Sequence, residues 1–491
     1  MTMPMMRPPR LLFPRPLCLV SLAALAACTV GPDFAPPAAP AAPAYLAADE
    51  APGATAREGG VAPARWWAAY GSPALDALVD RAIARNPSIA ASNATLARAR
   101  AAVAAARGRA LPQVDATARV QHEQVNLAAF GFGGGGIPGL PSENPEFSLY
   151  SVGGGVSYDL DLFGGRRRGI EQAAAQAEAQ RRQTEAAHLA LAGQVVTQAI
   201  ELAAIRARLA TADALIREDE RNVDLTDKRR RGGEGTMVQV LSARSQLAAD
   251  RALLPPLRQA LSEARHLLAI LVGDAPSGFV APDFDLDTLA LPGAIPVSLP
   301  SELVHRRPDI LQAEAELHAA TAAIGVATAR LYPDITLGAT LDQGAPSAGD
   351  ILKGAFRGYD MFAGLTAPLF HGGTLKAEQQ AAEAEARAAN ARYQAVVLKA
   401  FGQVADLLTA LDHDAEAVRT QQEAVDVAGA ALALSRRSFE VGNSGVLDIV
   451  DAERVHQRAL TGLVEARARQ YRDTARLFVA TAGGWTGPAP R

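Results

Sequence analysis

The sequence is poor in aromatic residues and in cysteine. Phe, Trp and Tyr make up 5% of the 491 residues, a composition more typical of long alanine-rich helices in close contact than of a large globular core. The two cysteines, Cys18 and Cys28, both lie near the N-terminus. A chain cleaved between them keeps a single cysteine, so no internal disulfide is expected.

Several function classes lack their usual signals. Lys and Arg total 48 against 52 Asp and Glu, so no basic excess indicates nucleic acid as a partner. The eight histidines form no HExxH or comparable ligand set, and Asp412-His413-Asp414 is interpreted as a solvated helix surface. The glycine run at 133–136 lacks the preceding strand and following helix of a phosphate loop. The sequence therefore predicts no enzyme, no catalytic residue, no metal site and no cofactor.

Residues 1–27 have the features of a signal peptide. Three arginines precede an apolar run at 17–27 that is too short to span a membrane as a mature helix. The run ends in Leu-Ala-Ala before Cys28, which resembles a bacterial lipobox and implies cleavage before Cys28 and a lipid on its thiol. Thr29, in place of the Asp usual in retained inner-membrane lipoproteins, favours the outer membrane. Ordinary cleavage beside an incidental cysteine is the alternative.

A unit of the chain occurs twice, at 86–120 and 307–341. Pro87 aligns with Pro308 and Pro112 with Pro333 at one constant offset. In each copy an alanine-rich helical pattern stops at the second proline, which removes a backbone donor and disfavours helix in the residue before it. An alternating strand pattern follows. Pro112 and Pro333 are thus predicted helix-to-strand junctions.

Four amphipathic strands are predicted, two in each copy. They lie at about 113–125 and 147–163 in the first copy, separated by a glycine-rich loop, and at about 334–342 and 359–370 in the second. Apolar and polar residues alternate along them, so each strand has one apolar face and one wet face.

Each copy continues into a very long helix and a shorter returning helix. The long helices are predicted at 166–231 and 374–440, with heptad-like apolar residues typical of a coiled-coil seam. At about 1.5 Å per residue each would be nearly 100 Å long. The returning helices are predicted at 236–271, kinked at Pro255-Pro256, and at 446–481.

These patterns predict an α+β membrane protein made of two tandem structural repeats. The predicted organisation is a signal peptide at 1–27, a lipid anchor and tether at 28–65, the first repeat at 66–271, an equatorial linker at 272–300, the second repeat at 301–481 and a C-terminal tail at 482–491.

Four strands cannot close a membrane barrel by themselves. An open sheet edge in lipid leaves backbone groups unpaired at a cost of several kcal/mol each. Barrels of this kind start at about eight strands, so two or more chains are expected to close one barrel together.

Several short motifs resemble the TolC/OprM outer-membrane efflux factor family, in its NodT-like lipoprotein branch. The motifs are Cys28-Thr29-Val30-Gly31-Pro32, Trp66-Trp67, Asp161-Leu162-Phe163-Gly164, Leu299-Pro300-Ser301, Arg307-Pro308-Asp309-Ile310 with Ala313-Glu314, and Gly483-Gly484-Trp485. The resemblance spans nearly the whole mature chain.

The resemblance implies a homotrimer. Its twelve-stranded transmembrane β-barrel would continue into a twelve-helix periplasmic α-barrel with a mixed equatorial region. The implied function is a passive exit duct for drugs or other small molecules in a tripartite pump. The implied partners are outer-membrane lipid, a periplasmic adaptor (membrane fusion) protein and an inner-membrane transporter of the RND type that supplies the energy.

The resemblance also implies roles for the turns that follow the long helices. In the family such turns dock the adaptor, here Arg231, Gly232, Gly233 and Gly235 in the first copy and Val441, Gly442 and Gly445 in the second. The periplasmic gate would comprise Leu447, Asp448, Asp451 and Arg454. Simpler readings remain, because any antiparallel helix pair needs a turn and Asp is favoured in a first helical turn by the dipole.

A lipid-anchored periplasmic adaptor or structural coiled coil is the second hypothesis. Such a protein also needs long helices, but it does not need four amphipathic strands. The strands therefore discriminate between the two functions.

Overall fold

The computed structural model describes residues 29–38, 42, 44–47, 49–50, 56–58, 60, 62–126, 146–293 and 295–481. The signal peptide, Cys28, the glycine-rich loop and the C-terminal tail lie outside these residues.

The α-helices are α1 Pro73–Arg85, α2 Pro87–Arg109, α3 Gly165–Arg231, α4 Met237–Arg251, α5 Leu254–Val272, α6 Pro300–Leu303, α7 Pro308–Ala329, α8 Thr374–Glu440 and α9 Val446–Ala480. The strands are β1 Ala56–Glu58, β2 Gln113–Gln124, β3 Glu146–Asp159, β4 Ile295–Val297, β5 Asp334–Ala345 and β6 Arg357–Thr366.

The chain forms two compact units. The first falls within Met1–Pro36, Arg98–Ala177 and Ala315–Asn390, and the second within Pro37–Ala97, Glu178–Glu314 and Ala391–Arg491. The first unit contains a four-stranded antiparallel sheet in the order β2-β3-β5-β6. The second contains the main apolar core.

The two halves of the chain share one order of elements. In each half a helix is followed by a proline and two strands, and then by a long helix and a returning segment of helix. The two long helices, α3 and α8, both have 67 residues. Both long helices contain a stretch apolar enough to cross a membrane by composition, but in α3 67% of that stretch is buried inside the protein. The apolar residues of α3 therefore serve the core, as a coiled-coil seam does.

Strand β3 ends at Asp159, four residues before the predicted end at Phe163. Asp161 has a φ of +35° and its carboxylate accepts the N–H groups of Arg166 and Arg167 at 2.8 and 3.0 Å. The side chain thus caps the first turn of α3, as an Asp before a helix commonly does. Strand β6 ends at Thr366, also earlier than predicted, since Pro368 follows and restricts the residue before it.

The returning helix of the first copy is broken rather than kinked. Helix α4 ends at Arg251 and α5 begins at Leu254, immediately before Pro255. A proline disfavours helix in the residues before it and is tolerated in the first helical turn, so the break precedes the prolines. The returning helix of the second copy, α9, runs unbroken for 35 residues.

The segments interpreted as tether and linker are partly folded into the second unit. Strand β1 from the tether pairs in parallel with β4 from the linker, and the Tyr45 hydroxyl donates to the Ser298 carbonyl at 2.8 Å. The linker also buries Phe279 and Phe284 in the main core. In both segments the apolar residues are scattered among prolines without a helical or strand period, so the sequence did not predict this packing.

The tryptophan pair lies in that core. Trp66 is fully buried and stacks on Phe478 of α9 with ring centroids 5.4 Å apart. The Tyr70 hydroxyl donates to the Tyr471 carbonyl at 2.8 Å. These aromatic contacts fix residues 66–70 against the last helix, α9.

Two equivalent glycines differ in their surroundings, which gives a matched test of the packing. A Cβ at Gly193 would lie 2.7 Å from Val479 Cγ2, whereas a Cβ at Gly402 meets nothing within 4 Å. We expect Gly402→Ala to stabilise the protein by up to about 1 kcal/mol through helix propensity. Gly193→Ala should destabilise it by about 1–3 kcal/mol through overpacking. Denaturant unfolding followed by circular dichroism measures both, and equal effects would contradict the close approach of α3 and α9.

Candidate functional site

The four-stranded sheet has one apolar and one polar face. Paired residues in adjacent strands share a face, so the register assigns each side chain to one side. The apolar face carries Val114, Ala116, Val120, Val152, Val156, Tyr158, Ile335, Leu337, Ala339, Leu341, Tyr359, Met361 and Leu365. The polar face carries Asp115, Thr117, Arg119, Ser151, Ser157, Thr336, Thr340, Asp342 and Asp360. The predicted alternation holds at most positions of the four strands. Exceptions include Phe147, Leu149 and Phe362 on the polar face and His122, Gln343 and Arg357 on the apolar face.

The sheet ends in two open edges. In the described part of the chain β2 pairs only with β3, and β6 pairs only with β5. Large apolar side chains are solvent-exposed on β6, where Tyr359 is 79% and Met361 77% accessible. In a soluble protein such edges are protected by charged residues or by a covering element. The unprotected edges and exposed apolar side chains therefore indicate a sheet that does not face water alone.

Both predicted junction prolines directly precede a strand. Pro112 lies between α2 and β2, and Pro333 lies between α7 and β5. Beside them, Phe163 stacks on Tyr332 with centroids 4.6 Å apart. Arg166 of α3 pairs with Asp159 at the end of β3. The helix-to-strand change is therefore supported by side chains from both halves.

The segment that follows Cys28 is clamped at this end of α3. Arg168, whose side chain is 5% exposed, donates to the carbonyls of Val30 and Gly31, both at 3.3 Å, and to Asp33 Oδ1 at 2.6 Å. The Val30 N–H donates to the Phe163 carbonyl at 3.0 Å. Three backbone groups of a segment with no regular structure thereby find hydrogen-bond partners. These contacts fix the residues that follow Cys28 in the motif Cys28-Thr29-Val30-Gly31-Pro32.

The clamp continues into α7. Arg168 pairs with Glu171 at 2.8 Å, Glu171 accepts from His318 Nε2 at 2.9 Å, and the His318 ring stacks on Phe34 at 4.3 Å. Burial alone would raise the pKa of Glu171, but the hydrogen bonds from Arg168 and His318 lower it below its ordinary value. The carboxylate therefore stays ionised, and Cys28, outside the described residues, immediately precedes this fixed segment.

The first long-helix turn is a Schellman motif. The Glu234 N–H donates to the Arg229 carbonyl at 2.9 Å and the Gly233 N–H to the Arg230 carbonyl at 3.1 Å. Gly233 has a φ of +82°, a conformation that glycine adopts without steric cost. Arg231 ends α3, and Gly232 and Gly235 flank the turn.

The second turn repeats this geometry. The Asn443 N–H donates to the Ser438 carbonyl at 2.9 Å, the Gly442 N–H donates to Phe439, and Gly442 has a φ of +83°. Val441 is 66% exposed and Gly445 precedes α9. All predicted docking residues thus lie in two equivalent turns, while docking itself remains a prediction.

A cation–π contact joins the ends of the two long helices. The Arg229 guanidinium lies 4.4 Å from the centroid of the Phe439 ring, a distance at which the ring quadrupole attracts the cation. Farther from the turns, Arg436 Nη2 donates to Glu218 and Glu453, both at 3.0 Å. Sequence reasoning missed these contacts because they depend on which helix faces meet.

The predicted gate residues lie in the first turns of α9. Asp448 Oδ2 accepts the Gly445 N–H at 2.8 Å, so this carboxylate caps the helix. Asp451 and Arg454 approach to 4.0 Å and are both exposed, as is Leu447. The structure brings Asp451 and Arg454 together on one exposed helix surface, and the gating role stays a prediction.

The first copy shows that the cap does not require a carboxylate. Gln239 stands at the equivalent of Asp448, and its Oε1 accepts the Thr236 N–H at 2.9 Å. Ser242 stands at the equivalent of Asp451. Cap geometry therefore explains an acceptor at 448 but not the two negative charges of the second copy.

One interpreted surface is corrected. Asp414 is 4% exposed rather than solvated, because this side of α8 packs against α9. It follows Leu411 at the spacing of the apolar seam, and Asp219 follows Ile216 in the same way on α3. A charge at a seam position was the available sequence signal for both.

Comparison with known proteins gives one consistent answer. The family model for outer membrane efflux protein matches residues 78–274 and 299–483. The pyoverdine export outer membrane protein OpmQ of Pseudomonas aeruginosa is 30% identical over 450 residues, covering 91% of this chain and 92% of OpmQ. Nodulation protein T of Rhizobium leguminosarum bv. viciae is 30% identical over 473 residues, covering 94% and 92%.

Solved structures agree with the sequence comparisons. The outer-membrane channel OprN superposes with a TM-score of 0.84 at 28% identity, covering 93% of this chain and all of OprN. The Campylobacter jejuni CmeC outer membrane channel has a TM-score of 0.82 at 18% identity over 93% of this chain, a likeness of fold.

Removing Arg168 should release the N-terminal segment. In Arg168→Met the carbonyls of residues 30 and 31 and the Glu171 carboxylate lose their donor, at a cost of about 1.5–3 kcal/mol. We expect chymotrypsin to cleave after Phe34 faster than in the wild type, and Arg167→Met, on the exposed neighbour, to change nothing. The depressed pKa of Glu171 means that wild-type protection is present above the ordinary carboxyl pKa and is lost as the pH falls through the folded-state value. Equal cleavage of both variants would disprove the clamp.

Proposed function

We propose, from the premise that this chain belongs to the outer membrane efflux protein family, that it is the exit duct of a tripartite efflux pump. The protein is located in the outer membrane and reaches into the periplasm. The proposed duct conducts drugs or other small molecules passively from the periplasm to the exterior.

The amphipathic sheet with two open edges carries this proposal. Its apolar face suits lipid and its polar face suits a water-filled lumen. The unpaired edges of β2 and β6 require partners, because lipid offers no hydrogen bonds. We propose a homotrimer in which the edge strands pair between protomers, so that three sheets of four strands make a twelve-stranded barrel.

The helices supply the proposed periplasmic part. In each half, the helix before the first strand and the returning helix together equal the long helix in approximate length. We call each long helix one column, and the helix before the first strand together with the returning helix a second column. Each half, as one of two tandem structural repeats, then has two columns. A chain has four columns and a trimer has twelve. Apolar seams on α3 and α8 suit side-by-side packing of the columns.

The proposed partners follow from the position of the duct. A passive pore needs energy from an inner-membrane transporter, here proposed to be of the RND type, and an adaptor that reaches the turns at 231–235 and 441–445. No cofactor is proposed, apart from a covalent lipid on Cys28 as a second attachment to the outer membrane. The adaptor hypothesis gives the amphipathic sheet no role.

The gate is proposed at the start of α9. A threefold axis would gather Asp448 and Asp451 of three chains into a ring of carboxylates, where crowded like charges attract cations. Leu447 and Arg454 would complete the constriction. The equivalent residues of the first copy, Gln239 and Ser242, are neutral. This difference agrees with a gate that needs negative charge only at the second turn.

Adjacent substitutions on β5 test the barrel. Ala339 lies on the apolar face and Thr340 on the polar face of this central strand. Arg on a lipid-facing position near the bilayer midplane costs about 2–4 kcal/mol, so Ala339→Arg should reduce the protein recovered from the outer-membrane fraction. Thr340→Arg should insert normally and lower the cation selectivity of the pore in planar bilayers. Equal recovery of both variants would contradict a membrane barrel with this orientation.

Exchanging the gate residues for those of the first copy tests the constriction. Asp448→Gln/Asp451→Ser keeps an acceptor for the helix cap and removes both charges. We expect higher single-channel conductance and weaker cation selectivity in planar bilayers, with unchanged melting. Asp426→Asn, an exposed aspartate on α8, serves as the control. Unchanged conductance in the double variant would sink the gate proposal and leave the duct proposal standing.

A further inference from the structure

Two aspartates are buried against each other where α3 packs on α4. Asp219 is 3% and Asp250 8% exposed. Asp250 accepts a hydrogen bond from Gln246 at 2.6 Å. Asp219 Oδ2 is buried and finds no donor among the described residues. An ionised carboxylate with an unsatisfied oxygen is costly in such a place, whereas a protonated one supplies its own donor.

The charged groups beside this pair come from three helices, α3, α8 and α9. Glu218 of α3 and Glu453 of α9 face it, and both accept from Arg436 of α8 at 3.0 Å. Asn222 donates to the second oxygen of Glu453 at 2.9 Å. Arg436 is thus engaged by the glutamates, and the residues that the structure describes provide no ion pair for Asp219 or Asp250.

This setting favours the neutral form of Asp219. Burial, followed by the hydrogen bond and the charge of Asp250 and the charges of Glu453 and Glu218, raises the pKa of Asp219 to about 8. Two carboxyl groups that cannot both ionise share one proton, as in other carboxyl dyads. Asp219, buried beside Asp250 with no donor to its Oδ2, is therefore the carboxyl group that favours the protonated form.

A second pair lies between α8 and α9. Asp414 is 4% and Asp473 8% exposed, and Asp414 Oδ2 also lacks a donor within the described ranges. Asp473 accepts from Arg476 at 2.8 Å. Burial and then the charge of Asp473 raise the pKa of Asp414 to about 6, while Arg469 and Arg472 oppose the rise. Arg472 is itself paired with Glu201 of α3.

The repeats show that the helix packing does not need these carboxyls. The equivalents of Asp219 and Asp250 in the second copy are Ala428 and Ala459, both buried. The equivalents of Asp414 and Asp473 in the first copy are the buried Ile205 and Ala264. Each helix pair thus buries two carboxyls at a level where the other packs apolar side chains.

We propose that Asp219–Asp250 and Asp414–Asp473 are two proton-binding sites that hold each long helix on its returning helix when protonated and loosen it when the proton is lost. The proposal concerns proton binding and helix packing, so it stands independently of the proposed duct function. The packed state binds the proton and a solvated state releases it. Packing is therefore favoured at low pH and weakens as the pH rises through the folded-state pKa.

The test compares pairs of variants in the full-length protein in detergent. Asp219→Ala/Asp250→Ala installs the residues of the second copy, and Asp414→Ile/Asp473→Ala installs those of the first. Wild-type melting temperature should fall by about 3 °C or more between pH 6 and pH 9. The first double variant should lose most of this fall and melt higher than the wild type at pH 9. Asp224→Asn, an exposed aspartate of α3 paired with Lys228, should keep it.

Infrared spectroscopy of the wild type supplies a measurement that needs no variant. The carbonyl band of protonated carboxyl groups should persist at pH 7 and disappear in a step near pH 8, and Asp219→Asn should remove that step. Absence of a protonated carboxyl band at pH 7 would overturn the proposal. Retention of the wild-type dependence of melting on pH by Asp219→Ala/Asp250→Ala between pH 6 and pH 9, or by Asp414→Ile/Asp473→Ala below about pH 6, would also overturn it. Neither result bears on conductance, which tests the duct separately.

Discussion

Backbone hydrogen bonding at the sheet edges is the constraint on which this structure depends. Every second residue of β2 and β6 directs its N–H and C=O groups away from the sheet, and in hydrocarbon these groups have no water to bind. In the proposed barrel both edges pair with other chains, and the two faces of the sheet meet different surroundings. The prevailing alternation of apolar and polar residues along the four strands fits that requirement.

The sequence predicted most of the architecture because its signals are local. Pro112 and Pro333 mark both junctions, and glycine ends both long helices, so α3 and α8 were located almost to the residue. The four strands were found by alternation, although β3 ends early because Asp161 turns to cap α3. Here a short-range hydrogen bond overrode a periodic pattern that continued through Leu160 and Leu162.

The rest required knowledge of which surfaces meet. Nothing periodic marks the pairing of β1 with β4, and the clamp by Arg168 joins residues remote in sequence. Of the candidate site, the turns and caps were readable from glycine and first-turn residues. The contact of Arg229 with Phe439 and the burial of Asp414 were not, although an aspartate at a seam position was a visible departure from the apolar pattern.

The glycines around the N-terminal segment bear on the order in which the chain is secured. A Cβ at Gly31 would lie 2.5 Å from the Gly325 backbone, and one at Gly164 would meet Thr29 at 2.6 Å. Residues 29–31 therefore fit only between parts of the chain that are made much later. Because contacts so distant in sequence form after local ones, residues 29–31 are among the last parts of the chain to be fixed although they are made early. Docking of this segment can thus report that both halves have folded.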